Sequence, residues 1–390
     1  MDRRLIWLAI GAFATSTVAF VFAGLLPLIA ESVGVSLARA GLLMTVFSLS
    51  YAIGTPIFST LTGSIDRRTV IGGALSVFIL ANLAAALANS YAALLTAQIV
   101  MGAFTGLFAS TAQSTAIALS APERRARAVS TVLTGTTLAV AFGAPLGALI
   151  GNLVGWRFTF LFIGAVAIFC LVILWLRLPR DIEGVRLSFG ERILVITRPG
   201  VFHALSVTFL YLAGGFTVIA YLAPLAIQGA GLSKNAVPAL LLVFGVGAVI
   251  GNTISGRLAD RLGPSRVVML SLSGGLVLSL TIALLVAFAP DSVAGPVLLA
   301  LMFPWGIVGW AFPPAQASRL VALAPDLAHL TMPLNVSAIY FGIASGSLIG
   351  AQVMAFLSVS WLAVVASALL VVTIGVLALD RRPAPGLAPG

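Results

Sequence analysis

Long apolar runs, separated by short polar segments, cover almost the whole chain. A helix needs roughly 20 consecutive apolar residues to cross a bilayer, and ten stretches free of Asp, Glu, Lys and Arg are of about this length or longer. They are residues 5–30, 40–65, 69–122, 128–156, 158–176, 199–233, 235–256, 267–290, 292–318 and 327–379. The third and the last are each long enough for two spans and contain a polar break, at Asn89-Ser90-Tyr91 and at Ser358-Val359-Ser360. The pattern therefore predicts twelve transmembrane helices.

Composition supports the same class. Hydrophobic residues make up 60% of the 390 residues and charged residues only 8%, whereas soluble domains usually carry about 25% charged residues. A soluble fold could not hide this much apolar surface, so the bilayer must act as the solvent. We expect an all-α integral membrane protein that passes many times through the cell membrane, with the bacterial inner membrane as its location.

The basic residues indicate an orientation. An even number of helices places both termini on one side, and cytoplasmic loops are enriched in Lys and Arg. With the termini in the cytoplasm, 18 of the 21 Lys and Arg residues are cytoplasmic, and the exceptions are Arg39, Arg157 and Lys234. The net charge of +10 is thus a topology signal. Because the basic residues are spread over many segments, we expect no nucleic-acid partner; the cluster at 124–127 is expected to contact anionic lipid.

Two halves of similar pattern are joined by a polar linker. We expect a first six-helix half at 1–178, a cytoplasmic linker at 179–199, a second half at 200–380 and a tail at 381–390. Residues 106–126 align without a gap on 309–329, which pairs Gln113 with Gln316 and Gly106 with Gly309. Parallel repeats of this kind are typical of transporters, whose substrate site lies between the repeats near the midplane.

The loop after the eighth helix carries the most specific motif. Residues 256–263 read G-R-L-A-D-R-L-G, which resembles the G-x-L-a-D-R-x-G signature of the major facilitator superfamily. A degraded copy lies at 62–68, with Thr62 and Thr69 where glycines are expected. The resemblance covers nearly the whole chain and implies two pseudo-symmetric bundles with a catch between them. Its expected gating residues are Asp66, Arg67, Gly256, Asp260 and Arg261. A solvated turn with a weak ion pair is the alternative.

The fifth helix contains Gly143, Pro145 and Gly147, which resemble the glycine-proline signature of the drug and metabolite efflux branch. Small residues let helix backbones approach closely, and proline bends a helix. We expect these three residues to form a tight, bendable seam between the halves, with ordinary helix packing as the alternative.

Within that branch the chain is most similar to bacterial purine-base and nucleoside efflux pumps, through Trp305-Gly306, Trp310 and the run 314–316. Arabinose-type sugar exporters and chloramphenicol exporters are near relatives. Two positions depart from the branch. Ala19 stands where relatives carry a glutamate, and Gln98 stands where they carry an arginine. Both missing groups are candidates for proton coupling.

The predicted helix interiors contain no Asp, Glu, Lys or Arg. A charged solute would require an opposite charge in a medium of low dielectric, so we expect a neutral or weakly polar solute. Gln113 and Gln316 hold equivalent repeat positions and could read a planar heterocycle from both halves; an interhelical hydrogen bond is the alternative. The resemblance implies that helices 1, 4, 7 and 10 line the cavity. The expected substrate-binding residues are Thr17, Gln113, Tyr211, Thr217, Trp305, Trp310 and Gln316 on these helices, and Asn335 on the neighbouring helix 11.

These observations predict a monomeric secondary transporter that exports a drug, nucleobase, nucleoside or sugar-like metabolite by alternating access and proton antiport, as in multidrug resistance. Protons and membrane lipid are then its partners besides the solute. The alternative is a gradient-driven facilitator or importer without proton coupling, which Ala19 and Gln98 favour. The remaining titratable candidates are Glu31, Asp66, His203 and Asp260. We expect no enzyme activity, cofactor or metal.

Overall fold

The computed structural model of the chain describes residues 3–121, 124–180, 182, 200–324 and 328–379. Within them, twelve helices are long and apolar enough to cross a membrane. Eleven of them are α1 (Arg4–Val33), α2 (Leu37–Leu61), α3 (Arg67–Leu87), α4 (Tyr91–Ala118), α6 (Trp156–Arg177), α7 (Val201–Ile219), α8 (Val237–Leu262), α9 (Pro264–Phe288), α10 (Asp291–Leu323), α11 (Ala328–Phe356) and α12 (Trp361–Leu379). The all-α, twelve-helix prediction is confirmed.

The remaining helix, α5, is interrupted. It consists of Arg125–Leu138, a π-helical turn at Ala139–Gly143, and Ala144–Val154. Beyond α7 the chain continues as the short turn Leu222–Pro224 and a second π-helical turn at Leu225–Gly229. The expected linker at 179–199 and the tail at 381–390 lie almost wholly outside the described residues.

Polar residues between the apolar runs form the helix ends. Ser36, Asp66 and Ser90 each accept a hydrogen bond from the backbone N–H three residues later, at the starts of α2, α3 and α4. Such caps satisfy donors that a helix leaves free at its first turn. Gly34 ends α1 with φ 69°, ψ 39°, a left-handed conformation that costs glycine little.

The helices pack as two groups, α1–α6 (the first half) and α7–α12 (the second half). In the first half α1 packs against α4, α5 and α6; in the second, α7 packs against α11 and α12, and α8 against α10. The halves meet mainly where α2 packs on α11 and where α5 packs on α8. We call the end of the bundle at which α1 begins the terminal end, and the opposite end the far end.

Contacts between the halves close the far end. Ser347 of α11 donates a hydrogen bond to the carbonyl of Gly41 in α2, at 3.0 Å. The Asn152 side chain, at the end of α5, donates to the carbonyl of Lys234 at 3.0 Å. Nζ of the same lysine lies 3.4 Å from Oε2 of Glu31, at the end of α1. Three separate pairs of segments are thus tied across the boundary at this end.

Candidate solute pathway between the two halves

A cleft of about 400 Å³ lies in the part of the bundle near the terminal end, between α1 and α5. Its lining is apolar apart from two hydroxyls and consists of Ile6, Ala9, Ile10, Phe13, Thr131, Thr134, Gly135 and Leu138. Phe13 and Phe20 are seven residues apart on α1, which is two helical turns, so they share one face. Phe20 therefore lies on the face of α1 that carries Phe13, two turns further from the terminal end.

Aromatic rings from both halves meet around Phe20. Its ring centroid lies 6.3 Å from that of Phe216 on α7 and 5.9 Å from that of Trp310 on α10. Tyr51 of α2 and Tyr340 of α11 form a second contact across the boundary, stacked at 3.4 Å. Phe20, Tyr51, Trp310 and Tyr340 lie near the middles of their helices, whereas Phe216 lies three residues before the end of α7. The chain continues beyond α7 as helical turns to Gly229, so the five rings still form a layer about halfway along the bundle, beyond the cleft.

Of the two predicted tryptophans, the structure brings only Trp310 to this boundary. Trp305 is buried inside the second half, where its ring meets that of Phe244 edge-on, with centroids 6.4 Å apart. The difference follows from helix geometry, because residues five apart on α10 point in different directions.

The two glutamines differ in their surroundings. Gln316 is fully buried, and its Nε2 donates to the carbonyl of Ala204 at 2.6 Å and to the hydroxyl of Thr208 at 3.2 Å. Asn335 accepts from Thr208 at 2.8 Å. Gln113 is half-buried, and its side chain forms no hydrogen bond within the described part of the chain. The expectation that both amides face one cavity is therefore wrong for Gln316, because Ala204 and Thr208 of α7 and Arg319 of α10 already occupy its hydrogen-bonding groups.

Three further predicted contact residues also lie within one half. Tyr211 stacks on Phe312 with ring centroids 3.9 Å apart, and the Thr217 hydroxyl donates to the carbonyl of Ala213 on its own helix. Thr17 is buried and donates to Phe13. Their polar groups are used by the bundle, so these residues pack helices together and do not line the cleft.

The glycines of α5 form a seam, but within the first half. A Cβ at Gly143 would overlap Thr17, and one at Gly147 would overlap Val21; both partners belong to α1. Pro145 is buried in the first turn after the π-helical turn. The expected seam between the halves is therefore a seam between α1 and α5. The halves instead approach closely at Gly245 of α8, where a Cβ would overlap Ala141 of α5.

The two copies of the loop motif are in different states. Asp66 accepts from the backbone N–H groups of Thr69 at 3.1 Å and Ile182 at 3.0 Å, and Arg67 is buried beside it. Asp260 and Arg261 are exposed, and no hydrogen bond or ion pair joins their side chains to another described residue. Gly256 also faces open space. The motif between α8 and α9 is thus disengaged in this conformation.

A guanidinium and an amide are buried inside α10 and α4. Arg319 is 6% exposed inside α10, and its guanidinium donates to Oε1 of Gln316 at 3.4 Å. Splitting the sequence at charges had ended that helix one residue too early to include it. Gln98 is fully buried in α4, and neither of its amide atoms has a partner among the described residues.

The other titratable candidates lie away from the rings. Glu31 pairs with Lys234 at the far end. His203 is exposed near the start of α7, beside the ring of Phe202.

A bundle of twelve apolar helices built as two packed halves, with a cleft in the first half, is the architecture of a membrane transporter. The family model described as Major Facilitator Superfamily matches residues 8–332. The chain therefore belongs to this superfamily of transporters. It is a multi-pass protein of the cell membrane and not an enzyme.

Relatives and solved structures agree with this assignment. The chain is 31% identical over 353 residues to the inner membrane transport protein YdhP of Escherichia coli (strain K12), covering 90% of this chain and 89% of that one. It is 31% identical over 351 residues to the MFS-type transporter YtbD of Bacillus subtilis (strain 168), covering 89% and 87%.

Two crystal structures share the fold. That of the nucleoside transporter NupG matches with a TM-score of 0.76 at 12% identity, over 97% of this chain and 99% of that one. An inward-facing, occupied bacterial homologue of the human lysosomal transporter Spinster matches with a TM-score of 0.67 at 18% identity, over 99% and 98%.

Proposed function

We propose that the protein is a monomeric exporter of neutral or weakly polar small molecules, which it moves by alternating access in exchange for protons. A drug, a nucleobase or nucleoside, or a sugar-like metabolite fits this description. The two halves move against each other about the ring layer, and the solute is loaded from the cleft.

The observation that carries the proposal is the difference between the two ends of the bundle. The far end is tied by Ser347–Gly41, Asn152–Lys234 and Glu31–Lys234, whereas the terminal end holds the cleft and the disengaged motif around Asp260. The distribution of Lys and Arg supports a cytoplasmic position for the terminal end. The cleft is then open to the cytoplasm, which is the loading state of an exporter.

In the opposite state we propose that the terminal end closes through the motif of α8. Asp260 would then accept from a facing helix N-terminus, and Arg261 would pair with a neighbouring acid. Asp66 and Arg67 hold the equivalent place in the first half and are already engaged with the segment that follows α6.

A second candidate function is a facilitator or importer without proton coupling. Ala19 and Gln98 stand where the resemblance leads one to expect a glutamate and an arginine. Ala19 is apolar, and the buried amide of Gln98 has no partner in the part of the chain that the structure describes. Proton antiport usually requires a titratable group in the pathway. Uptake that is equal with and without a pH gradient would favour this second function, and uptake that needs the gradient would favour the first.

A reversible lock at the far end tests alternating access. Asn152→Cys and Lys234→Cys are introduced together in a Cys170→Ser background, since Cys170 is the only cysteine. Oxidation should trap the cleft-open state and stop counterflow in proteoliposomes, and reduction should restore it. Each single-cysteine variant serves as the control. Full transport with a quantitatively formed cross-link would refute the mechanism.

A further inference from the structure

A small pocket with a basic lining lies at the terminal end of the first half. Its volume is about 160 Å³, and its walls come from the start of α1, the end of α4 and the start of α5. The residues that line it are Leu5, Leu119, Ser120, Ala121, Arg124, Arg127, Ala128 and Thr131. Among them, Thr131 alone also lines the apolar cleft, so the pocket lies beside the cleft and is separate from it.

The two arginines of this pocket carry charges that the described chain does not neutralise. Arg124 and Arg127 are exposed, and no hydrogen bond or ion pair joins either guanidinium to another residue that the structure describes. None of the eight lining residues is acidic, and the segment 120–131 carries three arginines against one glutamate. Guanidinium groups pair well with phosphate oxygens. The pocket is therefore suited to an anion of the phosphate type.

Comparison of the two halves shows that the basic pair is not a requirement of the fold. At the positions 203 residues further on, the second half carries Leu327 and Leu330. That connection joins α10 to α11 at the same end of the bundle. Arg124 and Arg127 are thus a feature of the first half alone.

We propose that the pocket binds the headgroup of an anionic phospholipid. The phosphate lies between Arg124 and Arg127, and the acyl chains extend into the adjacent bilayer. Three spanning helices begin or end at the pocket, which places it at the level where the hydrocarbon core gives way to the headgroups. Anionic lipid is concentrated at this level, so it is favoured over a soluble phosphate compound.

The walls of the pocket also predict what bound lipid does. All three helices that form it belong to the first half, so an occupied pocket holds α1, α4 and α5 together without bridging the halves. A ligand that binds only the folded state raises its stability by mass action. Bound lipid should therefore raise the melting temperature, and this effect does not depend on which solute the protein transports.

Arg125 provides a matched control. It is exposed and belongs to the same basic segment, but it is not among the residues that line the pocket. A general attraction between basic loops and anionic lipid predicts equal losses when Arg124, Arg125 or Arg127 is replaced by glutamine. A defined pocket predicts losses at Arg124 and Arg127 and none at Arg125.

The test measures binding of dioleoyl phosphatidylglycerol and dioleoyl phosphatidylcholine to the purified, delipidated protein in detergent. Native mass spectrometry gives the affinities, and the melting temperature is a second readout. The wild type should bind the anionic lipid at least about fivefold more tightly, the contribution of one basic residue near an anionic lipid surface. Arg124→Gln and Arg127→Gln should each weaken it by about fivefold on the same basis, and Arg125→Gln should bind like the wild type.

Equal binding of the two lipids by the wild type, or equal losses in the three variants, would overturn the proposal. Soluble glycerol 3-phosphate is the further arm, and it should leave the melting temperature unchanged. A stabilisation as large as that given by phosphatidylglycerol would instead identify a soluble phosphate compound as the ligand and would also overturn it. The replaced side chains are exposed, so the variants should fold; if Arg124→Gln does not, the comparison of Arg127→Gln with Arg125→Gln decides.

Discussion

Tyr51 of α2 and Tyr340 of α11 stack face to face across the boundary of the two halves, with ring centroids 3.4 Å apart and planes 11° from parallel. Aromatic pairs generally prefer offset or edge-to-face arrangements. The close packing of α2 on α11 therefore holds this pair in place, and the pair in turn depends on how closely the two helices approach.

Replacing Tyr340 by Leu should loosen this approach. The loss of the ring contact is expected to cost about 0.5–1.5 kcal/mol beyond the lost buried area, so the melting temperature of the purified protein should fall. Tyr340→Phe keeps the ring and should melt close to the wild type. Identical melting of the Leu and Phe variants would show that stacking adds nothing to the association of the halves.

Gly245→Leu should block transport while leaving the halves folded. A side chain at this position of α8 would overlap the backbone of α5 at Ala141, so the halves could no longer close at the far end. Counterflow should be lost while expression and membrane insertion persist. Gly73→Leu is the control, because a Cβ at Gly73 meets no atom within 4 Å. Normal counterflow by Gly245→Leu would contradict the contact.

Gly147→Leu should impair folding of the first half and not the closure between the halves. A side chain at Gly147 overlaps Val21 of α1, and its carbonyl accepts from the hydroxyl of Thr159 in α6 at 2.8 Å. The damage therefore lies inside the first half. We expect poor insertion or a low melting temperature, measured by fluorescence size-exclusion chromatography. A protein that is well folded but locked would instead place this glycine at the boundary between the halves.

The two glutamines should respond in opposite ways to replacement by leucine. Gln316→Leu removes a fully buried amide that contacts Thr208 and Arg319, and leaving such groups unpaired costs about 1–3 kcal/mol. Its melting temperature should therefore fall. Gln113→Leu removes a half-buried amide without a partner in the described chain, so its melting temperature should stay near that of the wild type. Melting temperatures of the two variants are measured in the same detergent. A lower melting temperature for Gln113→Leu than for Gln316→Leu would contradict the structural role given to Gln316.

Asp260→Asn should slow transport without lowering stability. The carboxylate is exposed and disengaged here, so its contribution belongs to the other access state. We expect at least about a fivefold loss of counterflow, the lower end of usual coupling between conformational states. Asp291→Asn, which changes an exposed carboxylate at the far end, is the control. If both variants transport like the wild type, Asp260 has no gating role.

The fold was predictable because a helix that crosses the bilayer must be apolar over roughly 20 residues, while charged residues stay near water. The spacing of charges gave ten apolar stretches, and polar breaks in two of them gave twelve spans; the break at Ser90 proved to be the cap of α4. The rule failed where a charge is buried with a partner. Arg319 continues α10 as far as Leu323 because Gln316 satisfies part of its guanidinium.

The residues between the halves were harder to predict. In a bundle whose helices are apolar on every side, Phe20 and Phe22 look alike in sequence, yet one meets rings of the opposite half and the other meets Phe160. Polar side chains that were expected to contact the solute proved to be poor indicators of its site. Gln316, Thr217 and Thr17 find partners within their own half, since the membrane offers no water to satisfy them.

The π-helical turn at Ala139–Gly143 has a consequence for the evolution of α5. Such a turn holds one residue more than an α-helical turn, and each residue of an α-helix advances it by about 100°. Deleting one residue within the turn, such as Val140, would therefore restore an α-helix and leave Gly147 and Gly151 facing α1. A homologue with an uninterrupted fifth helix should show a one-residue deletion at this site. An alignment that places the gap elsewhere would compare residues pointing toward different neighbours.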